Sequence, residues 1–301
     1  MEKLRIGIIG AGKHFKKNIF PIIKNNDSFK IVSIMKHHKR EFNKYTFVSE
    51  KDFFKKKMDF LYISSPNTSH EKYILKGLNS NCHIICEKPF LTKKKKLKKI
   101  IDLSRKKKKL IFEAFMYMHH PLFKQIEKII RSKKYGKLKY IIANWKHPHL
   151  DKNYSQYKKD QGAGFWYDGA SYLISFDNYF FVSKKKMTYF KLKKEVDLRG
   201  NIQFNSNKIN RFYFWGEGQF YKNDIELFFE KATIFVEQFF AKRNEDKIKI
   251  KIYKNFKLQE KKIPNKNQFK EMFTDIFKHY KSTKYQNYHR KRILDQIKYL
   301  I

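Results

Sequence analysis

Cysteine is nearly absent. Cys82 and Cys86 are the only two in 301 residues. They lie in an apolar, strand-like segment with no second pair to complete a zinc set, so both read as buried thiols of a reducing compartment. Long apolar runs are missing too. None approaches the roughly eighteen residues that cross a bilayer, and the sequence opens on a strand rather than on a charged leader followed by an apolar stretch. A cytoplasmic protein without a membrane span is expected. No internal repeat and no long flexible linker is visible. Acid is the remaining scarcity: 28 Asp+Glu stand against 69 Lys+Arg, a formal charge of +41. Such an excess ordinarily points to nucleic acid or an anionic membrane. Here the lysines are spread over the whole length, alongside abundant Ile, Asn, Phe and Tyr, the residues favoured when coding DNA is rich in A and T. The charge therefore reads as inherited composition, and a nucleic-acid partner is not expected.

A chain of 301 residues with 41% hydrophobic side chains can supply two cores of ordinary size. "LRIGIIGAG" (4–12) is a short apolar strand running into a glycine turn, and 13–24 carry helical spacing through Phe15, Ile19 and Ile22 or Ile23. Strands follow at 29–35, 59–65, 82–87 and 109–115, alternating with helix-like stretches. That alternation predicts a parallel sheet with helices on both faces. Thr92 is the expected N-cap of a helix reaching about Lys107, with Leu97, Ile100, Ile101 and Leu103 on its buried side. After about residue 120 strands succeed one another with few helices, at 137–145, 211–220, 224–231, 232–240 and 247–253. The last of these alternates Lys and Ile, one face wet and one dry, and an open, largely antiparallel sheet is expected. Two amphipathic helices close the chain. One carries Phe269, Met272, Phe273, Ile276, Phe277 and Tyr280, the other Ile293, Leu294, Ile297 and Leu300 or Ile301, and both stripes are expected in the core. The reading is thus an α/β chain of two domains, 1–120 and 121–301.

The first glycine turn is where a dinucleotide pyrophosphate would sit. Gly10 makes the tight turn, Gly12 lets the backbone approach the phosphates, and the following helix start, with Lys13 and His14, offers amide donors and positive charge. The third glycine of G-x-G-x-x-G is replaced by Phe15. At the end of the second strand a carboxylate would hold the adenosine ribose of NAD; the sequence has "MKHHKR" (35–40) instead, and Lys36 with its basic neighbours suits the 2′-phosphate of NADP. Lysine is common in every loop of this chain, so NAD remains the alternative cofactor. The histidine pairs 37–38, 119–120 and 147/149 lack acidic or cysteine partners at a metal spacing, and no metal is expected. The lysine runs 93–96 and 106–109 read as solvated helix ends.

"YISSPNTSHEKYILKGLNSNCHIICEKPF" (62–90) resembles a linked pair of motifs in the glucose-fructose oxidoreductase and inositol dehydrogenase family, in which a strand ends in Pro-Asn, a His follows, and the next strand ends in Glu-Lys-Pro. Here those residues are Pro66, Asn67, His70, Glu87, Lys88 and Pro89. "EAFMYMHHP" (113–121), Gly136 before a strand and "GAGFWYDGASY" (162–172) continue the resemblance. It implies a Rossmann domain followed by an α/β domain with an open sheet that serves for substrate binding and for assembly into a homo-oligomer, dimer or tetramer. It also implies Lys88 as the active-site lysine, stabilising negative charge on a substrate oxygen as hydride moves to or from a nicotinamide. The Lys–Pro bond is often cis in that family, and Glu87 would orient Lys88 or contact a cofactor ribose. Pro66, Asn67 and His70 would join the cofactor site. The family's second element, an aspartate followed four residues later by a histidine, reads here as Asp168 and Tyr172, similar to branches that carry tyrosine. Asp168 would anchor substrate, and Tyr172, its ionised form favoured by a nearby ammonium, would act as general acid/base. The implied reaction is NAD(P)-dependent hydride transfer to or from a secondary alcohol or ketone of a sugar, either a nucleotide sugar or a cyclic polyol. Phe15 and Met118, the latter at a position commonly arginine in related sequences, support the rival reading: a catalytically reduced, dinucleotide-binding regulator with a polyanion-binding surface.

Overall fold

The structure, a computed structural model, describes residues 3–35, 47–151, 154–162, 164–181, 185–193, 196–206 and 209–301. Its first sheet is built from β1 (Leu4–Ile9), β2 (Phe29–Met35), β3 (Phe47–Val48), β4 (Phe60–Ile63), β5 (His83–Cys86) and β6 (Ile111–Glu113). All neighbours are parallel, in the order β3-β2-β1-β4-β5-β6. The sequence shows five of these strands; β3, two residues long, is too short to carry a period. Every residue of β4 and β5 is buried, as expected of parallel strands covered on both faces. Ile6, Ile8, Tyr62, Ile85 and Phe112 point into one core. Ile9, Leu61, Ile63, Ile84, Cys86 and Ile111 point into the other.

The helical segment after the glycine turn fills the first of these cores. It begins as a wide turn over Phe15–Ile19, in which Phe20 donates to the Phe15 carbonyl, and continues as α1 (Phe20–Lys24). Pro21 lacks the amide a regular helix would use there, and the widened turn precedes it. The second core is covered by α2 (Glu50–Lys55), α3 (His70–Asn79) and α4 (Leu97–Lys106). Thr92 is not the cap of α4, which starts five residues later with no side-chain cap bond. Phe90 and Leu91 are fully buried and pin the preceding turn, while Lys93–Lys96 offer no apolar face, so helix begins only where burial does. Ile100 and Ile101 then form the buried stripe, with Leu97 and Leu103 packed at its edge.

α5 (Pro121–Arg131) follows, its first turn capped by His120, whose Nδ1 accepts the Leu122 amide at 3.0 Å. The second sheet has eight strands: β7 (Leu138–His147), β8 (Lys185–Lys193), β9 (Val196–Ser206), β10 (Ile209–Glu217), β11 (Lys222–Phe229), β12 (Thr233–Glu237), β13 (Lys249–Lys254) and β14 (Lys257–Lys262), in the order β14-β13-β12-β11-β7-β10-β9-β8. All pairs are antiparallel except β7 with β10. α6 (Ser171–Phe180) covers its inner face, where Asp177 meets Arg211 in a fully buried ion pair.

α7 (Gln268–His279) and α8 (Thr283–Leu300) return in space to the first sheet. Phe273 of α7 packs 5.8 Å from Phe29 and 6.2 Å from Tyr62, centroid to centroid, and Tyr280 lies 5.1 Å from Phe60. Arg290 of α8 ties that helix to α4 through the Ser104 hydroxyl (2.8 Å) and carbonyl (3.0 Å). Leu294 is not in the core: it is 38% exposed, because Ile293, Ile297 and Leu300 already define the inward face and Leu294 lies one residue out of phase. Among the described residues no helix is long and apolar enough to cross a membrane.

Candidate active site

The carboxyl ends of β1, β4 and β5 open onto a cleft of about 540 Å³ whose walls include His14, Pro66, Asn67, Glu87, Lys88, Asp168 and Tyr172. Open parallel sheets present ligands at this end of their strands. Gly10 takes a left-handed φ of +87°, and a Cβ there would stand 2.6 Å from the Ser64 backbone, so only glycine fits. The Ser64 hydroxyl donates to the Gly10 carbonyl at 2.5 Å and locks the turn to the end of β4. Gly12, by contrast, has no atom within 4 Å of where a Cβ would be; space lies open above the turn. Lys13 is exposed at the edge, its ammonium 5.3 Å from the centroid of the Tyr154 ring.

Lys88 follows β5 and is joined to Pro89 by a cis peptide bond. Its ammonium donates to the Asp168 carbonyl at 2.9 Å and forms a short ion pair with the Asp168 carboxylate. The same ammonium lies 4.7 Å from the centroid of the Tyr172 ring. Asp168 is thus the counter-ion of Lys88, and its second oxygen accepts from Gln156 at 3.3 Å. Burial alone would raise the Asp168 pKa, but the Lys88 charge and hydrogen bond prevail and hold it below the ordinary carboxylate value.

Tyr172 differs from the expectation. The ammonium sits over its ring face and not at its oxygen; the hydroxyl points to the Met116 sulfur at 3.6 Å, and the ring stacks on Trp145 at 4.5 Å. Burial dominates, reinforced by the charges of Glu87 and Asp168, and drives the phenol pKa well above its usual value. The phenol is held protonated.

Glu87 takes partners other than Lys88. It accepts from the Tyr62 hydroxyl at 2.5 Å and lies 3.2 Å from His14 Nε2. Burial opposes its ionisation, yet the His14 charge and these hydrogen bonds win and keep its pKa low. His14 is the reciprocal case: desolvation lowers its pKa, Glu87 more than compensates, and the net shift is upward. Asn67 donates to the Gly162 carbonyl at 3.0 Å, and Pro66 lines the cleft beside it. His70 does not line the cleft. It is fully buried beneath, 2.9 Å from the Pro89 carbonyl and 3.0 Å from the Ser65 carbonyl, and burial lowers its pKa. A neutral ring donates to one of these carbonyls, tying the end of β4 to the Lys–Pro turn. Lys36, on which the choice between NADP and NAD rests, lies outside the described residues.

Several residues that shape the cleft escape a reading of the sequence. Asp168 sits in a wide helical turn, Trp166–Ala170, whose Trp166 amide donates to Asp197 at 2.6 Å while the Trp166 indole donates to the Leu300 carbonyl at 2.7 Å. Asp197 also accepts from the Trp215 indole at 3.0 Å. Gly164 is required beside it: its φ is +110°, and a Cβ would come 2.3 Å from the Asp197 carboxylate. Only the glycines around position 163 hint at this contact in the sequence. Asp197 is remote along the chain and is brought in by β9.

Residues 4–115 match the oxidoreductase family described as having an NAD-binding Rossmann fold. Among curated proteins, a dTDP-3,4-didehydro-2,6-dideoxy-alpha-D-glucose 3-reductase of Saccharopolyspora spinosa is 22% identical over 222 residues, 72% of this chain and 67% of that enzyme. The enzyme of the same description from Actinomadura kijaniata is 26% identical over 39% of this chain and 35% of its own length. Among solved structures, a 3-ketoreductase of Actinomadura kijaniata in complex with NADP and TDP-benzene superposes with a TM-score of 0.92 at 17% identity, covering 98% of this chain and 95% of that one. Residues 4–115 thus match the NAD-binding Rossmann part of that oxidoreductase family, and the chain as a whole shares the two-sheet fold of the 3-ketoreductase.

Proposed function

We propose that this protein transfers hydride between a nicotinamide dinucleotide, NADP in preference to NAD, and a secondary alcohol or ketone of a nucleotide-linked sugar. The observation that carries the reading is the Lys88–Asp168 pair set over the Tyr172 ring at the carboxyl end of β5. Residues 1–120 hold the dinucleotide, and 121–301 hold the sugar and form the oligomer, with α7 and α8 buttressing the first sheet. The open space above Gly12, next to a turn that only Gly10 can make, fits a pyrophosphate. Pro66, Asn67, Glu87 and His14 line the way from that turn to Lys88. Bound there, the nicotinamide supplies or accepts hydride at C4.

The protein's own part is electrostatic and acid–base. Lys88, 13% exposed, donates to the substrate oxygen and stabilises charge that develops on it. Asp168 keeps Lys88 charged and aimed. Tyr172 keeps its proton through burial, which makes it a weak acid that gives the proton up only to a strongly basic oxygen, such as the alkoxide that forms as hydride arrives. A nucleotide sugar is favoured over a free cyclic polyol because the relatives covering most of this chain act on, or were crystallised with, dTDP- or TDP-linked compounds. The outer face of the second sheet presents Phe212, Phe214, Phe228 and Phe235, each half-buried, and is the surface proposed to pair two copies into a dimer or tetramer. A cytoplasmic location accords with two free, buried thiols.

Fluorescence titration with NADPH and NADH at moderate and high salt tests the cofactor assignment. The wild type is expected to bind NADPH saturably, more tightly than NADH, and to keep that binding in high salt. Gly12→Ala has room in the fold and should leave the melting temperature unchanged while weakening NADPH binding, because its methyl group enters the pyrophosphate space. Gly10→Ala should instead lose about 1–3 kcal/mol of stability from its disallowed φ and its clash with Ser64. Equal, salt-labile binding of both nucleotides to all three proteins would remove the dinucleotide site.

A further inference from the structure

We propose that Lys242, with Gln268 beside it, is the subsite for a phosphoryl group of the nucleoside-diphosphate-linked substrate, Lys242 taking a phosphoryl oxygen and Gln268 a hydroxyl of the sugar. This rests on the reading of the cleft as a nucleotide-sugar site and names the residues that select for it. Three basic side chains line the cleft: His14, Lys88 and Lys242. His14 is paired with Glu87 and Lys88 with Asp168. Lys242 has no carboxylate ion pair among the described residues; its ammonium donates to the Phe239 carbonyl and lies 5.7 Å from the centroid of the Phe239 ring. Asp246, on the same loop, is already engaged, accepting the Arg243 amide at 2.7 Å and its Nε at 3.1 Å.

Gln268 supplies the second, independent observation. It is 4% exposed, lines the same cleft, and its Oε1 has no hydrogen-bond partner among the described residues. Its Nε2 is 3.5 Å from the Lys242 carbonyl, which couples the two residues. The backbone there is fixed by the Asn267 cap, which accepts the Phe269 and Lys270 amides at 3.0 Å each. A buried acceptor left unmatched is costly, and a sugar hydroxyl would satisfy it. An uncompensated cation next to an unmatched acceptor is the complement of a phosphoryl group followed by a hydroxyl-bearing ring. The dinucleotide phosphates belong at the glycine turn on the other sheet, so the anion at Lys242 is the substrate's.

Protonation follows from the same placement. Burial lowers the Lys242 pKa to about 7, with Asp246 opposing weakly. His120 on the adjoining segment has its own pKa pushed down, to about 4, and is neutral near pH 7. The remaining charges facing the cleft, His14 with Glu87 and Lys88 with Asp168, are mutually compensated. An arriving phosphate favours the charged amine, so at pH 8 substrate binding takes up a proton, and at pH 6, where Lys242 is already charged, it does not.

Calorimetric titration with dTDP, in buffers of different ionisation enthalpy at pH 6 and pH 8, tests this on the wild type, Lys242→Met and Lys242→Arg, with NADPH as a parallel titrant. Lys242→Met is expected to bind dTDP about ten- to a hundredfold more weakly, to lose the proton uptake at pH 8 and to keep wild-type NADPH affinity, whereas Lys242→Arg retains most dTDP affinity. Wild-type dTDP affinity in Lys242→Met, or an equal loss of NADPH affinity, would overturn the assignment of Lys242 while leaving the nucleotide-sugar reading in place. Failure of the wild type itself to bind dTDP, with NADPH binding intact, would overturn that reading and this subsite together.

Discussion

Lys88→Ala is expected to lower kcat/KM by about a hundred- to a thousandfold, while NADPH affinity stays within a few-fold of wild type. The direction follows from where the ammonium sits. It is 13% exposed, fixed by the Asp168 carbonyl at 2.9 Å and by the Asp168 carboxylate, and held over an aromatic ring. Little reorganisation is then needed when charge appears on a substrate oxygen, and in so dry a site the interaction is stronger than in water. Removal also leaves Asp168 without the partner that outweighs its burial. Its pKa should rise, and residual activity should acquire a new dependence on pH through the weakly acidic range. Lys88→Arg should not restore the rate, because a planar guanidinium cannot occupy a pocket built around a compact ammonium. Steady-state kinetics alongside NADPH titration separate the two effects: loss of NADPH binding in parallel with turnover would make Lys88 a cofactor ligand and not a catalytic group.

Arg211→Met is expected to destabilise the fold by about 3–5 kcal/mol, read as a shift in the urea midpoint at constant m-value. Arg211 and Asp177 are both fully buried, with Nε to Oδ1 at 2.6 Å. Asp177 also accepts from the Tyr213 hydroxyl at 2.7 Å, and the guanidinium lies 4.3 Å from the centroid of the Phe181 ring. Deleting the cation strands a buried carboxylate between α6 and β10. The double substitution Arg211→Met with Asp177→Leu should recover a large part of the loss, since a buried pair exchanged for apolar side chains of similar volume is often neutral or better. Asp177 lies on the helix that carries Tyr172, so the single variant should also lower activity, through helix position. Equal stability of the single and double variants would show that the pair is not coupled.

Sequence and structure agree where burial writes a strong pattern. The central strands of the first sheet, β4 and β5, are buried at every residue because helices cover both faces, and the Glu-Lys-Pro ending marks the point where β5 leaves the core for the cleft. The stripe of α7 is likewise plain, since Phe269, Met272, Phe273 and Ile276 all face inward. The signal fails where burial is slight or partners are distant. Every residue of β14 is exposed, so "KLQEKK" has no inner face to betray a strand. β8 and β9, rich in lysine and polar residues, do not stand out either. α5 does carry a helical stripe, Leu122, Phe123 and Ile126, behind Pro121, but its cap, the His120 ring accepting the Leu122 amide, is not written in that pattern. Within the site, residue types were legible and orientations were not. Proximity of Lys88 and Tyr172 suggests a phenolate, but the contact is made by the ring face, and burial sets the opposite direction. His70 belongs to the motif yet works as a strut beneath the cleft, and Asp197, which holds the turn bearing Asp168, has no motif at all.

The central claim is that hydride crosses this cleft to a sugar carbon under the control of Lys88. It is tested most directly by incubating the protein with NADPH deuterated at C4 and a dTDP-linked keto sugar, and locating the label by mass spectrometry and NMR. The account predicts deuterium on the former carbonyl carbon from one of the two C4-labelled epimers, with transfer largely abolished in Lys88→Ala. Retention of all label on the nicotinamide by a wild type that demonstrably binds both molecules would contradict it.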